Sequence, residues 1–244
     1  MKIQKILNKI TSKQVFYKKG ETEILYYHVI GIITAIIGFS VYGLSLYFNN
    51  IDTRFIFSFL LSAPITCYLG AKYWTKVFNR NSNWYSFFGG FLGIMISIVL
   101  FTYIFNQDFL RVCDTLILFS PLIHSIGRFA CINNGCCIYR ERKTKGLYFK
   151  YNTKDARANK YGLKGKKLYP AHLYEIGLNI LLFLLMFFVF MFSTKRGGVF
   201  STYLIGYGLI RLNLEKYRKE KELPKYTFCL VTLFILTGGL ILIC

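Results

Sequence analysis

Two arginines stand where the sequence is otherwise built for hydrocarbon. Arg128 follows an apolar run within HSIGRFACINNGCCIYR (residues 124–140), and Arg211 lies within RGGVFSTYLIGYGLIRLNLEKYR (196–218). An arginine at the centre of a membrane helix costs roughly 2.5 to 3.5 kcal/mol on insertion scales, so a guanidinium kept there has a partner or a task. Its planar fork of donors matches phosphate oxygens. Two such groups suggest an enzyme or a transporter that handles a phospholipid headgroup. The competing reading is that both side chains snorkel from helix ends to the headgroup layer.

Other residues able to do chemistry are few. Three histidines, His28, His124 and His172, are the available imidazoles. Cys131, Cys136 and Cys137 are set in a C-x4-C-C pattern that admits a zinc site, a reactive thiol, or simple packing at a helix end or re-entrant turn. The spacing lacks the paired C-x2-4-C geometry of zinc sites, so no metal is expected and packing is the preferred reading. Asp114 is a further charge in an apolar stretch, paired with Arg111 at its end or set in a polar cavity. The glycines of GGFLGI (89–94) and GYG (206–208) suit close helix packing, or an approach of backbone to lipid.

The elements that must carry these residues are helices in a bilayer. The chain has 244 residues, 54% of them hydrophobic and 18% aromatic, with a positive mean hydropathy. Such values exceed those of soluble domains, and the apolar residues come in blocks near the roughly 20 residues needed to cross the hydrocarbon. Spans are expected over 24–48, 53–71, 84–106, 109–127, 172–193, 198–213 and 226–244. The predicted fold is therefore all-α, a polytopic membrane protein of about seven helices and one domain (24–244), with one basic polar loop (140–170). Residues 1–23 lack a compact apolar core and cleavage site. Their Ile3, Ile6, Leu7 and Ile10 fall at helical spacing opposite lysines, predicting a basic amphipathic helix on an anionic lipid surface or else a frayed tail.

Charge adds a partner and a question of orientation. A net charge of +20 would suit nucleic acid, but seven apolar blocks argue against it and make anionic phospholipid the natural partner. Eleven of the 31 Lys and Arg residues lie in the polar loop. With seven spans, that loop shares one side with the N-terminal lysines, Lys72, Lys76, Arg80 and the 216–225 cluster, opposite Arg54, Arg111, Lys195 and Arg196. The positive-inside rule assigns the basic side to the cytoplasm.

The blocks SFFGGFLG (86–93), GRFACINNGC (127–136), YPAHLYE (169–175) and residues 196–218 occur in the order found in the bacterial prolipoprotein diacylglyceryl transferase family, which the chain resembles over roughly 24–244. The resemblance implies a multi-pass protein of the bacterial inner membrane. It implies transfer of a diacylglyceryl group from phosphatidylglycerol to the cysteine thiol of a lipoprotein precursor peptide, without a cofactor. It matches Arg128 and Arg211 to the family's essential arginines, Tyr27 to the tyrosine of the first span, Asn134 and Gly135 to an "NG" pair, and Tyr207 and Glu215 to residues flanking the second arginine. Arg140, closing the signature segment, is grouped with the lipid-contacting residues. Physically, fixed cations in a low-dielectric pocket stabilise charge growing on a leaving phosphate, and Glu215, four residues from Arg211, shares its helix face.

The chain departs from the family pattern at several polar positions. Phe88 replaces a histidine of the "SFHGG" block, Cys131 and Cys136 replace the signature's Asn and Glu, Tyr139 replaces a Gly, and Tyr169 replaces the His opening "HPxQLYE", with His172 at its Gln position. His28 and His172 lie beside family-matching positions, so either is placed to take a thiol proton, against the plainer reading of a hydrogen-bonded structural histidine. The departures leave open a related transferase with another acceptor, and a non-catalytic phospholipid-binding protein. Family topology, with the N-terminus outside, also runs against the charge bias.

Overall fold

The computed structural model describes residues 2–19, 22–78, 87–135, 139–152, 162–217 and 224–243. Cys136, Cys137, Arg80 and the side chain of Phe88 lie outside that description. Among the described residues the order is α1 (Lys2–Ile10), β1 (Val15–Lys19), β2 (Thr22–Leu25), α2 (Tyr26–Phe48), α3 (Thr53–Phe78), α4 (Phe87–Ile104), α5 (Phe109–Ile117), α6 (Ser120–Asn134), α7 (Ala171–Phe192), α8 (Gly198–Glu215) and α9 (Pro224–Ile243).

Each expected span contains helix, although length and apolarity alone identify fewer crossings. Tyr26–Phe48, Thr53–Trp74 and Ala171–Phe192 are long and apolar enough to cross a membrane, and α5 with α6 makes a fourth if the pair is one span. α8 falls short because Arg211, Asn213 and Glu215 interrupt its apolar run. Large side chains such as Phe57, Leu61, Tyr103 and Phe192 are exposed on the helix surfaces, as a lipid-facing exterior requires.

The expected 109–127 span is broken. α5 and α6 meet at a bend of 43°, and Pro121, which has no amide proton to give, sits in the first turn of α6. α6 then runs on to Asn134, so Arg128 lies inside a helix and not at its end. Gly135 ends it in the left-handed conformation (φ 62°), its amide donating to the Cys131 carbonyl at 2.9 Å. A side chain there would be strained by that φ and would meet the Tyr151 ring at 3.1 Å.

Close packing of α3 on α4 uses glycine. A Cβ at Gly93 would lie 2.0 Å from the Thr66 carbonyl oxygen, and one at Gly70 would lie 2.3 Å from that of Gly89. The two backbones therefore touch, as the 89–94 glycine run led one to expect. Gly93→Leu is expected to destabilise the fold by about 3 kcal/mol through overpacking. Thermal unfolding in detergent measures this, with Gly31→Leu as control, since nothing lies within 4 Å of a Cβ at Gly31.

At the end of the bundle where α2, α5 and α7 meet the start of α8, two carboxylates serve as caps. Asp108 accepts from the Arg111 amide at the start of α5 and pairs with Arg196. These contacts, the amide first, hold its carboxyl below the ordinary aspartate value. Asp114 makes no ion pair with Arg111, and it lines a polar depression with Arg111, Ser193, Lys195 and Arg196. It accepts from the amides of Gly197 at 2.6 Å and Phe200 at 2.8 Å, placing its charge at the N-terminus of α8.

The opposite end carries the N-terminal segment, whose amphipathic helix spans Lys2–Ile10 and takes in the apolar residues at helical spacing. A hairpin of β1 and β2 follows, closed by an ion pair between Lys18 and Glu23. Asn133 at the end of α6 donates its amide to the carbonyls of Ile10 (3.0 Å) and Lys13 (2.7 Å). Gln14 donates to the Asn133 carbonyl at 3.1 Å. Leu7 is buried with Ile132, Phe149, Tyr151, Leu163 and Leu168, so the basic loop has a small core of its own.

Candidate functional site

Three helices bring polar stripes to that same end. On α6, His124 and Arg128 are one turn apart. On α7, His172, Glu175 and Asn179 recur at three and four residues. On α8, Tyr203, Tyr207, Arg211 and Glu215 recur at four. These spacings put each set on one face of its helix, and α7 packs against both α6 and α8.

Glu175 is the centre. Its side chain is 0% exposed, Arg128 Nη2 donates to its Oε1 at 2.6 Å, and His124 Nε2 lies 3.6 Å from the same oxygen. Arg211 and His172 also lie within electrostatic reach of its carboxylate. Arg128 also donates to the Tyr207 hydroxyl, a group within electrostatic reach of both arginines. Arg128, from α6, and Arg211, from α8, thus both act on Glu175 and Tyr207, and their side chains are 12% and 11% exposed. Arg211 keeps its own carboxylate, Glu215, at 3.7 Å. Each guanidinium is therefore pre-set by a glutamate, which limits the conformational entropy lost when an anion arrives.

The other predicted positions separate in space. His172 is buried, its ring edge-on to Tyr139 at 4.8 Å and tilted against Phe149 at 5.9 Å, and neither ring nitrogen has a hydrogen-bond partner among the described residues. His28 is exposed on the first turn of α2, its ring meeting Tyr27 at 5.8 Å, outside the arginine cluster. Asn134 is buried at the end of α6, and Gly135 is its cap. Arg140 is exposed. Its backbone joins the loop to α8 through the Tyr217 carbonyl (2.8 Å) and the Tyr169 amide (3.1 Å). Cys131 is half-buried, its sulfur 4.0 Å from Arg128 Nη1. Among the described residues no group of three His, Cys, Asp or Glu is placed to hold a metal ion.

Sequence reasoning overlooked Glu175 and Asn179 and passed over His124 for the other histidines. A usable signal was present, since polar residues at three- and four-residue steps on an otherwise apolar α7 mark an inward face. Asn179 is fully buried with neither amide atom hydrogen-bonded among the described residues. Deeper in the bundle, Tyr203 stacks on Tyr207, and the Tyr42 hydroxyl is 3.0 Å from Ser120 Oγ. An open depression of about 600 Å³ lined by Tyr47, Asp52 and Gln107 lies at the opposite end of the bundle and takes no part in this cluster.

Two cations, a tyrosine hydroxyl and imidazoles around a buried carboxylate, at a basic helix end, suit the capture of a phosphodiester beside a proton acceptor. Known proteins have similar sequences. The chain is 31% identical over 196 residues to the phosphatidylglycerol–prolipoprotein diacylglyceryl transferase of Caulobacter vibrioides (strain NA1000 / CB15N), covering 77% of this chain and 65% of the relative. It is 34% identical over 160 residues to that of Caulobacter sp. (strain K31), covering 62% and 53%, and 32% identical over 148 residues to that of Chlorobaculum tepidum, covering 60% and 48%. The matches thus span about half to two thirds of these relatives' lengths. The family model for prolipoprotein diacylglyceryl transferase matches residues 4–244, which takes in all three helices that hold the arginine cluster, and the chain belongs to that family.

Proposed function

We propose that this chain moves a diacylglyceryl group from phosphatidylglycerol to the cysteine thiol of a lipoprotein precursor in a bacterial inner membrane. The observation carrying this reading is that Arg128 and Arg211, on different helices, both lie within electrostatic reach of Glu175 and Tyr207. In the reaction the thiolate attacks the glycerol carbon, the carbon–oxygen bond to phosphate breaks, and glycerol phosphate leaves with the electron pair. Charge grows on phosphate oxygens held between two guanidiniums in a medium of low dielectric, where fixed cations act most strongly. The basic loop and the lysines of α1 surround this end and draw anionic headgroups toward it. The amphipathic α1 lies in the headgroup layer, with Ile3 and Ile6 exposed beside its lysines.

The test is transfer of labelled diacylglyceryl from phosphatidylglycerol to a peptide bearing the lipoprotein signal motif, with purified wild-type chain, Arg128→Ala and Arg211→Ala. Transfer by wild type that is lost in both variants supports the reading. Wild-type chain that binds the lipid and transfers nothing overturns it in favour of a phospholipid-binding protein. Transfer only to another thiol or hydroxyl acceptor changes the assigned acceptor and keeps the lipid site.

A further inference from the structure

The arginine–glutamate cluster occupies one end of the bundle and leaves the other end without a role. That second end is formed by the turns after α2, α4 and α7, and its basic residues are Arg54, Arg111, Lys195 and Arg196. All but Arg54 line one depression of about 160 Å³. They come from separate parts of the chain, Arg111 from α5 and the other two from the turn between α7 and α8. Cations gathered around one hollow repel each other, a cost that an anion shared among them removes. The larger depression nearby, lined by Tyr47, Asp52 and Gln107, has an acidic side chain and no basic one.

We infer that the basic depression holds the headgroup phosphate of an anionic phospholipid from the leaflet opposite the one that serves the arginine–glutamate cluster. Each cation is anchored and keeps donors to spare. Arg111 Nη2 donates to the Asn49 carbonyl at 2.7 Å, and Lys195 Nζ donates to the Leu242 carbonyl at 2.9 Å. Arg196 pairs with Asp108 through Nη1 while its side chain stays 68% exposed. Asp114 is the one carboxylate of the lining, and both of its oxygens accept amides of α8, from Gly197 and Phe200. Its charge is thereby directed at the helix terminus, and the cations keep the excess.

The inner wall favours a lipid over free phosphate. Val189 and Phe190 of α7 line it, so the hollow runs from a basic rim onto the apolar surface of a membrane span. Tyr47, Phe48 and Phe192 are exposed at the same end, as aromatic rings are where headgroups meet hydrocarbon. A phosphate at the rim sets the glycerol backbone against Val189 and Phe190 and leaves the acyl chains to the exposed Leu184, Leu185 and Phe188. A headgroup that also bears an ammonium brings a further cation to this rim, so phosphatidylglycerol is preferred to phosphatidylcholine. Through Arg111 and its bond to Asn49, the shared phosphate ties α2 and α5 to the turn between α7 and α8. Binding there involves no transfer step.

Photolabelling locates the lipid. Full-length wild type, the double variant Arg111→Gln/Lys195→Gln and the single variant Arg196→Gln are placed in phosphatidylcholine nanodiscs with a trace of phosphatidylglycerol that carries a diazirine near the glycerol end of one acyl chain. Labelled peptides are then mapped by mass spectrometry, and thermal unfolding checks each fold. Wild type is expected to be labelled at the end of α7 and the turn that follows. The double variant is expected to lose about tenfold or more of that label, because each cation beside an anionic headgroup contributes several-fold. Arg196→Gln removes an exposed side chain, so it is expected to fold and to show a smaller loss, and it carries the test should the double variant unfold. A phosphatidylcholine probe of the same design is expected to label the turn weakly, and excess inorganic phosphate to leave the phosphatidylglycerol label in place. The inference is overturned if wild type is unlabelled at the turn, if the folded variants label as wild type does, if the phosphatidylcholine probe labels equally, or if inorganic phosphate removes the label. Label beside Arg128 and Arg211 is read in the same digest, and its absence counts against the transferase reading alone.

Discussion

Arg128→Lys is expected to lose about a hundredfold to a thousandfold in transfer rate even though the positive charge is kept. Arg128 donates to Glu175 and to the Tyr207 hydroxyl from one planar group. An ammonium on a flexible stem cannot reproduce that fork or hold two phosphate oxygens in the same plane. Arg211→Lys is expected to be milder, because its Glu215 partner stands at 3.7 Å and is 28% exposed, a looser fit than the fully buried Glu175. Initial rates with saturating peptide, together with separate measurement of phosphatidylglycerol binding, check both. Equal activity in Arg128→Lys and wild type would show that charge alone suffices and that the fork geometry is immaterial.

Glu175→Ala is expected to destabilise the protein by about 3 to 5 kcal/mol, because it leaves a buried guanidinium without its carboxylate. Restoring the balance by removing Arg128 as well should recover much of that loss, since two residues in contact do not contribute additively. Unfolding of Glu175→Ala, Arg128→Ala and the double variant in mild detergent yields the coupling directly. Additive losses would mean that the 2.6 Å contact between them contributes little in the membrane, where an unfolded helix also finds partners.

Much of the fold could be read from residue order. A helix crossing hydrocarbon needs a long apolar run, so α2, α4, α7 and α9 announce themselves within about three residues of their ends, while α3 runs past the apolar stretch to Phe78. The break between α5 and α6 had a visible sign in Ser120–Pro121, but an apolar run through Leu118 and Phe119 conceals a bend of 43°. The hairpin was obscured because Val15, Phe16 and Tyr17 are followed at once by lysines, leaving no alternation long enough to declare a strand. Strand formation there depends on neighbouring structure more than on local preference.

The site was legible in its most expensive residues. Arg128 and Arg211 stand out because a guanidinium in hydrocarbon demands an explanation. Glu175 was harder, since its partner is 47 positions away and only the packing of α6 on α7 brings them together. Nor could composition rank the histidines. His172 and His124 look alike on paper, and what divides them is that one is enclosed by Tyr139 and Phe149 while the other faces Tyr207 and Glu175.

The stripe of Tyr203, Tyr207, Arg211 and Glu215 also bears on how the molecule is made. Alone in the lipid, α8 would carry its guanidinium against acyl chains, a penalty of roughly 2.5 to 3.5 kcal/mol at the helix centre. Part of that penalty is met within α8 by Glu215, and more of it when Glu175 of the preceding helix comes within electrostatic reach. Biogenesis is therefore expected to keep α7 beside the translocon until α8 has emerged, so that the two leave as a preassembled pair and not singly.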